Sequence, residues 1–457
     1  MSPVERGVAP APAGPPPEIE LPPFATHRLD NGMRIEVARS TSTPDVALRL
    51  VLGAGAGSTP PERGGLATLA CDLLSEGAEG RTAPEMAAWI DGLGAAFHAH
   101  ASYDAAQLSM HTMNDQLDET LEYLAAVSRR PDFDEDEVER RRAMMLDRLR
   151  RRVDDPAEIA ADAFGAAVYG AHPYGAPLDG TVESVEPLAA GDLADFWSRV
   201  ARPDTACLVV CGDVDPATAV AAAEREFGDW RVPADAPPPE APETPARAAH
   251  AGEVILLDRP ASRQSELRIG GVGIARDEPD EASFLVANAV LGGLFNSRIN
   301  LNLREEKGWT YGARTVLLRR RRRGPFLLRT AVATEATLDA FAECLAEFQR
   351  LRETPPEPAE LELAANALTL SLPLQFQTTS QLARRRAEAV TYDLPDDYWE
   401  RFPERIRAVS PADVREAARA FLDPGGLVLL AAGDVAGFAD AAASLGTVDV
   451  RAAGASA

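Results

Sequence analysis

The sequence predicts an α+β fold made of two similar domains, each an antiparallel sheet with helices packed on one face. Strand-like and helix-like segments follow one another without strict alternation, which is typical of α+β proteins. A proline-rich segment, 233–250, reads as a linker and divides the 457 residues into nearly equal halves. Residues that mark the ends of predicted helices and strands recur in both halves at a constant spacing along the chain. Together these observations indicate a duplicated domain.

The recurring residues lie near the end of each half. In both halves an aspartate opens a predicted helix, a proline follows that helix, and a Gly-Asp turn follows the next strand. The matched pairs stand 221 residues apart and are Asp192 with Asp413, Pro203 with Pro424, Gly212 with Gly433, and Asp213 with Asp434. Four pairs with one offset are hard to explain by chance.

Local patterns predict the elements of the first domain in order. They are a hairpin over 27–39 that turns at Asp30-Asn31-Gly32, a strand over 45–53, a helix over 65–75, a strand pair over 95–113, and a long charged helix over 134–153 capped by Asp134. We expect the domains to span 24–232 and 251–440. Residues 1–23 are expected to be a disordered tail, and 441–457 a fraying tail.

Composition limits the partners and the compartment. The net charge of −25 argues against nucleic acid or an anionic membrane as a general partner. The four cysteines are few and scattered, and Cys207 and Cys211 fall in an apolar run that predicts a buried strand. This usage suits a reducing compartment. No signal peptide or membrane span is evident, so the sequence predicts a cytoplasmic protein.

Three segments match the motifs of a known enzyme family. Residues 65–77 read GLATLACDLLSEG, 172–181 read HPYGAPLDGT, and 208–214 read LVVCGDV. They resemble, in turn, the zinc-motif helix, the motif after the long helix and the domain-closing strand of the pitrilysin/insulinase metallopeptidases. The resemblance covers roughly 24–440. It implies the LuxS-like metallohydrolase fold of mitochondrial processing peptidase.

The resemblance places this chain's own residues at each position of the family's zinc site. In the family's H-x-x-E-H motif two histidines hold Zn²⁺ and the glutamate activates the bound water. Here Thr68 and Asp72 stand at the histidine positions and Cys71 at the glutamate position. Arg148 stands where the third ligand is implied, and Arg141 where its acidic neighbour is implied. A cation repels Zn²⁺, so this degenerate site is expected to bind no metal.

A carboxylate inside this degenerate site needs a partner. We therefore expect Arg148 or Arg141 to replace the charge of the metal by pairing with Asp72. The alternative is that both arginines point to solvent from a charged helix. The distance from Asp72 to the two guanidinium groups decides between them.

The histidines form a second group of candidates. His98 and His100 alternate along one predicted strand, and His111 follows. Histidines on the same face of a strand can bind metal. We favour instead polar residues that face a cleft. In the family this strand lies beside the substrate, which implies a peptide contact for His98 and His100.

The second half contains a further motif. Residues 296–312 resemble the family's C-terminal signature, which carries an arginine and a tyrosine seven residues apart, here Arg304 and Tyr311. Gly308 is expected to end the helix, so that Tyr311 begins the next strand. The implied role is to bind the substrate's carbonyl groups and the oxyanion that develops near zinc. The alternative is a surface ion pair and a tyrosine that anchors a strand.

Five consecutive arginines, 319–323, stand out in an acidic chain. Because adjacent charges cannot all face one way, the run predicts a solvated hairpin end before Gly324-Pro325. An acidic partner surface is the alternative.

The sequence therefore predicts the non-catalytic, substrate-binding subunit of a heterodimeric zinc metalloendopeptidase. It would have no cofactor of its own, and the zinc would lie on a partner subunit. Self-association is a further possibility, and peptide is the expected substrate. The alternative function is a non-enzymatic scaffold or peptide-binding pseudo-peptidase. An active peptidase made of this chain alone is disfavoured by Thr68, Asp72 and Arg148.

Overall fold

The computed structural model describes residues 19–232 and 237–453. The strands of the first half are β1 Ala25–Arg28, β2 Arg34–Arg39, β3 Asp45–Leu52, β4 Gly77–Ala78, β5 Arg81–Thr82, β6 Ala96–Ala101, β7 Ala106–Met113 and β8 Cys207–Gly212. Its helices are α1 Leu66–Leu73, α2 Ala83–Gly92, α3 Leu117–Arg129, α4 Glu135–Arg152, α5 Pro156–Tyr169, α6 Val182–Val185, α7 Ala190–Val200 and α8 Pro216–Phe227.

The second half repeats this plan. Its strands are β9 Glu253–Asp258, β10 Gln264–Val272, β11 Ala313–Leu317, β12 Pro325–Ala333, β13 Val428–Gly433 and β14 Thr447–Ala452. Its helices are α9 Glu281–Asn288, α10 Arg298–Asn300, α11 Thr337–Glu353, α12 Pro358–Thr369, α13 Thr379–Thr391, α14 Tyr398–Arg407 and α15 Pro411–Phe421.

Each half forms one six-stranded sheet, and the two sheets have matching orders. The first runs β6-β7-β3-β8-β2-β1 and the second β11-β12-β10-β13-β9-β14. Strands β8 and β13 begin and end 221 residues apart, and so do helices α7 and α15. The predicted duplicated α+β fold is therefore confirmed.

The sheets are mixed rather than purely antiparallel. Strand β8 pairs parallel with β2 and antiparallel with β3. In the second sheet β9 pairs parallel with both β13 and β14. The expectation of antiparallel sheets was wrong at these pairs. Strands β8 and β13 each return beside an early strand, β2 or β9, after a long helical connection, and such connections produce parallel neighbours.

One helix of each half packs on the sheet of the other half. Helix α13 covers β3 and β8, and α5 covers β10 and β13. Leu382 and Ala383 of α13 pack against Val209, while Phe164 of α5 packs against Leu430. The expectation that helices cover only one face was therefore wrong. Without this exchange the second face of each central strand would expose apolar side chains to water.

The local predictions for the first half are confirmed, and α4 shows why they were reliable. The Asp134 side chain accepts hydrogen bonds from the N–H groups of Asp136 and Glu137, which caps the helix where expected. Acidic residues fill its first turn and arginines its last, in accord with the helix dipole. Along the described chain no helix is both long and apolar enough to cross a membrane.

The predicted C-terminal tail contains a strand. Strand β14 lies within 441–457 and pairs with β9 over six residues. The second sheet thus gains an edge strand from the C-terminus at the place that β1, from the N-terminal side, fills in the first sheet. The prediction of a fraying tail was wrong here, because the pairing partner is about 190 residues distant in sequence and gives no local signal.

Two other segments predicted to lack contacts also pack in part. Ile19 and Leu21 contact the second core, although 1–23 was predicted to be a tail; residues 1–18 lie outside the described chain. Over 237–250 the proline-rich segment has no helix or strand, but Ala248 is buried in the apolar cluster around α5.

Candidate functional site

Helix α1 positions the residues that correspond to the zinc motif. It begins after Gly65, whose φ is +88°. A Cβ at Gly65 would lie 2.6 Å from Cγ2 of Val185 and 2.8 Å from the carbonyl oxygen of Asp179, so only glycine fits this approach. The helix buries Leu66, Leu69 and Leu73 in the first core. Thr68 and Asp72 are left partly exposed beside α4.

Thr68 and Cys71 are both committed to structural contacts. The Thr68 hydroxyl donates a hydrogen bond to the Leu178 carbonyl oxygen at 2.8 Å, which ties α1 to the 172–181 loop. The Cys71 side chain is buried in the first core. Burial, followed by the nearby charge of Asp72, raises the pKa of the Cys71 thiol far above its usual range. A thiol that stays protonated is neither a metal ligand nor a base at neutral pH.

Asp72 does not pair directly with either arginine, so that prediction was wrong. Arg141 donates instead to Glu76, with Nε 3.1 Å from Oε1, and Arg148 lies 3.6 Å from the Asp179 carboxylate. Among the described residues Asp72 has no hydrogen bond or ion pair. Burial raises the pKa of Asp72, and the charges of Arg141 and Arg148 oppose this rise only in part. The two arginines are thus held by Glu76 and Asp179 and not by Asp72.

An Asp72→Asn variant is expected to be more stable than the wild type at pH 7. The pKa of Asp72 is higher in the folded protein than in the unfolded chain. Between these two pKa values the folded protein retains a proton that the unfolded chain has lost, so the stability of the wild type falls as pH rises through this range. We expect the unfolding midpoint of the variant to exceed that of the wild type by about 2 °C at pH 7, and we expect this difference to disappear below about pH 4. Scanning calorimetry across this range measures it.

Asp147→Asn is the matched control, since Asp147 is exposed on the neighbouring helix α4. A larger rise in the unfolding midpoint for the control than for Asp72→Asn, or a rise that increases at low pH, would contradict a raised pKa for Asp72.

The residues at this site do not fit a zinc ion. In the chain over 19–232 and 237–453, no group of three or more His, Cys, Asp or Glu side chains is arranged to hold a metal. Thr68 offers a hydroxyl that is already engaged, and Cys71 a buried neutral thiol. Asp72 is a single carboxylate, and Arg148 brings a positive charge. One carboxylate cannot replace the three protein ligands of a catalytic zinc site.

The three histidines lie on one face of the first sheet but do not form a metal site. His98 and His100 are exposed on β6, an edge strand against which α1 packs. His111, on β7, pairs instead with Asp45 through Nε2 at 2.6 Å, and Asp45 also accepts from Thr379 at 2.7 Å. The interpretation of His98 and His100 as cleft residues stays a prediction.

Arg304 and Tyr311 lie in an exposed segment of the second half. Arg304 is in a wide helical turn, Leu301–Glu306, and stacks on Phe295 with its guanidinium carbon 4.2 Å from the ring centroid. Its Nη1 also lies 2.8 Å from Glu305. Tyr311 is 95% exposed and lies in a loop two residues before β11, so it does not begin that strand as predicted. In the described chain neither side chain bonds to a residue of α1 or α4.

The arginine run lies at the end of the β11–β12 hairpin, as predicted, but it is only partly solvated. Arg320 stacks on Tyr103 at 3.7 Å and on Tyr174 at 4.6 Å from the ring centroids, and Arg322 pairs with Glu243 at 2.6 Å. These three partners belong to the first half or to the proline-rich segment. The run therefore joins the halves, and its arginines are held by carboxylates, rings and carbonyl groups.

Sequence reasoning missed this junction between the halves. The Tyr174 hydroxyl donates to Asp104, and the other oxygen of Asp104 accepts from the backbone N–H of Arg321 at 3.0 Å. His172, in the motif that supported the resemblance, accepts from the Tyr174 N–H at 3.0 Å. That motif thus has a structural role. The aromatic and turn-forming residues of this motif were the sequence signal for that structural role.

Two family descriptions match successive parts of the chain. Residues 34–182 match "Insulinase (Peptidase family M16)", and 187–368 match "Peptidase M16 inactive domain". This chain belongs to the insulinase family of peptidases, M16. The second match includes Arg304 and Tyr311. The insulinase-family resemblance found in the sequence is thereby confirmed.

Several bacterial relatives of this insulinase-family chain are described as uncharacterized zinc proteases. One from Mycobacterium leprae is 26% identical over 63% of this chain, and the match spans 64% of that relative, less than two thirds of its length. One from Streptomyces coelicolor is 24% identical over 86% of this chain and 85% of the relative.

Solved structures show the same fold. The M16 inactive domain from Pseudomonas fluorescens has a TM-score of 0.80 at 24% identity, covering 90% of this chain and 98% of that one. A protease from Helicobacter pylori has a TM-score of 0.83 at 17% identity, covering 91% and 100%.

Proposed function

We propose that this chain is the non-catalytic, substrate-binding subunit of a two-chain zinc metalloendopeptidase whose partner holds the zinc ion. A contrast between two segments carries the proposal. At the motif helix Thr68 and Cys71 serve structural contacts, and Arg148 adds a positive charge. At the second segment Tyr311 is 95% exposed, whereas Arg304 is 31% exposed and its Nη1 faces Glu305, which leaves the phenol and the other guanidinium donors for a ligand.

The two donors have a defined task in this arrangement. Arg304 and the Tyr311 phenol donate hydrogen bonds to the carbonyl groups of a bound peptide and to the oxyanion that develops from one of them. Among the strands of the described residues, β6 has no partner on its outer edge, so a peptide can pair with it beside His98 and His100. Relatives described as zinc proteases support a peptidase context for this binding role.

The purified chain is expected to contain no stoichiometric zinc and to cleave no peptide. Elemental analysis by mass spectrometry and a mixture of quenched fluorescent peptides measure these two properties. Co-expression with a family member that carries H-x-x-E-H is expected to give a complex with zinc on the partner and with peptidase activity. Zinc bound to the lone chain together with strong cleavage would overturn the proposal.

A further inference from the structure

Arg49 is a partly buried arginine whose counterpart in the second half is neutralised. Arg49 lies on β3 opposite Val209, and Arg268 lies on β10 opposite Leu430, the same place in the duplicated sheet. Arg268 donates to Glu266 at 2.9 Å and to the Ala157 carbonyl at 3.0 Å. Within the described chain Arg49 has no hydrogen bond and no ion pair. The duplication thus provides an internal comparison, in which Arg268 has hydrogen-bond and ion-pair partners and Arg49 has none among the described residues.

The surroundings of Arg49 add a second cation rather than a counter-ion. Helix α13 lies over this face, with Ala383 packed near Ala47 and Ala387 near Val51. Arg49 is midway between these two contacts, which places it beneath the turn of α13 that carries Arg384. Burial, and then the charge of Arg384, lower the pKa of Arg49 from its usual value.

Arg384 has no partner in the described residues either, although the next two arginines of α13 do. Arg385 pairs with Glu388 at 2.5 Å, and Arg386 pairs with Asp396 at 2.7 Å. Glu388 is also held by Arg276 at 3.1 Å. Glu388, the one carboxylate on α13, is therefore already neutralised, and so is Asp396 beyond its end.

An open cavity of about 500 Å³ lies beside these charges. Arg384 lines it together with Gln107 of β7 and Thr391, the last residue of α13. Gln107 stands opposite His100 of β6 and donates to the Thr391 hydroxyl at 3.1 Å. Gln107 thus belongs both to the wall of the cavity and to the strand position directly opposite His100.

We propose that Arg49 and Arg384 form a binding site for a carboxylate group of a peptide held along the β6 face. Two guanidinium groups without counter-ions offer the forked donors that a carboxylate accepts. Their mutual repulsion is relieved when an anion lies between them. In a chain with a net charge of −25, a local excess of positive charge at the edge of a cavity, where Arg384 lines the wall and Arg49 lies behind it, selects acidic ligands. The inference rests on the proposed substrate-binding function and names its substrate class.

The carboxylate has two sources, an acidic side chain or the C-terminus of the peptide, and defined probes separate them. We would use fluorescein-labelled decapeptides of alanine and serine with glutamate or glutamine at alternate positions. Each would be made with a free or an amidated C-terminus. Fluorescence anisotropy with the full chain at low salt measures binding. We expect the glutamate peptide, or the free-acid form, to bind at least about 10-fold more tightly than the neutral amide.

The double variant Arg49→Gln/Arg384→Gln is expected to abolish this preference while keeping the affinity for the neutral amide. Arg384→Gln alone, on an exposed side chain, should weaken the preference and tests the site without altering the sheet. Arg263→Gln/Arg401→Gln removes the same charge from exposed positions and should keep the preference.

The outcomes separate this inference from the function on which it rests. Equal binding of the acidic and neutral peptides, or a preference that survives the double variant, overturns the carboxylate site and leaves the subunit role standing. Failure of every peptide to bind overturns both the site and the substrate-binding role of the lone chain. A reconstituted pair without peptidase activity, but with the acidic preference intact, overturns the enzymatic role alone.

Discussion

Tyr311→Phe in the reconstituted pair is expected to lower kcat by about 100-fold, with little change in KM. The substitution removes one hydrogen-bond donor and keeps the ring. Loss of a single donor to a developing oxyanion typically costs about 10²–10³ in kcat. Tyr311 is 95% exposed, so the variant should fold and unfold as the wild type does. Steady-state kinetics on one quenched peptide, with the unfolding midpoint measured alongside, test this.

Tyr123→Phe is the matched control, because Tyr123 lies in the first core against Trp89 and Phe97. It removes a phenol of the same kind from a place that no substrate reaches, and kcat should be unchanged. Equal losses in both variants would show that the effect of Tyr311→Phe does not come from a contact with the reacting group.

Arg304 distinguishes the enzymatic function from the scaffold alternative. Arg304→Ala should lower kcat/KM by about 100-fold, and Arg304→Lys should recover part of it, because a lysine keeps the charge but loses the forked donors. A chain that serves only as a scaffold would assemble with its partner and show no kinetic change in either variant. That result would favour a peptide-binding or structural role for this family member.

Glu281→Gln is expected to lower the free energy of unfolding by about 3 kcal/mol, the lower end of the cost of breaking a buried ion pair. Its carboxylate is 2% exposed and lies against the guanidinium groups of Arg276 and Arg319. The Tyr398 hydroxyl also donates to Glu281 at 2.5 Å. Glutamine has almost the same volume, so the loss reports charge and hydrogen bonding rather than packing. Urea denaturation followed by circular dichroism measures it.

Glu416→Gln is the control for that experiment. Glu416 is 60% exposed and pairs with Arg419 at 2.9 Å on the surface of α15. Exposed pairs typically contribute about 0–1 kcal/mol, so this variant should be close to wild type. A Glu281→Gln variant no less stable than the control would contradict the buried network as a determinant of stability.

Much of the fold could be predicted from local sequence, for a physical reason. Helix caps such as Asp134, and the Gly-Asp turns that follow β8 and β13, depend on the backbone within a few residues. The constant offset between the halves therefore survived at these positions and revealed the duplication. The departures from the zinc motif at Thr68 and Cys71 were equally visible, because they concern which residue types stand on one helix face.

Pairing between distant groups could not be predicted in this way. The sequence suggested that Asp72 pairs with an arginine, but Glu76 and Asp179 bind those guanidinium groups instead. It also suggested a solvated arginine run, whereas Arg320 lies against tyrosines of the other half. Many carboxylates and arginines compete for each partner, and only their positions in space select the pairs.

The sequence by itself thus determined the family, the duplicated fold and the residue types on the helix that resembles the zinc-motif helix, since each depends on residue identity and short-range spacing. Only the tertiary structure decided that α5 and α13 cross to the opposite sheets, and that the arginine run joins the two halves. It also distinguished Arg49 and Arg384 from the neutralised Arg268. These outcomes depend on which charged and apolar groups the folded chain brings within a few ångströms of one another, and spacing along the sequence does not encode that distance.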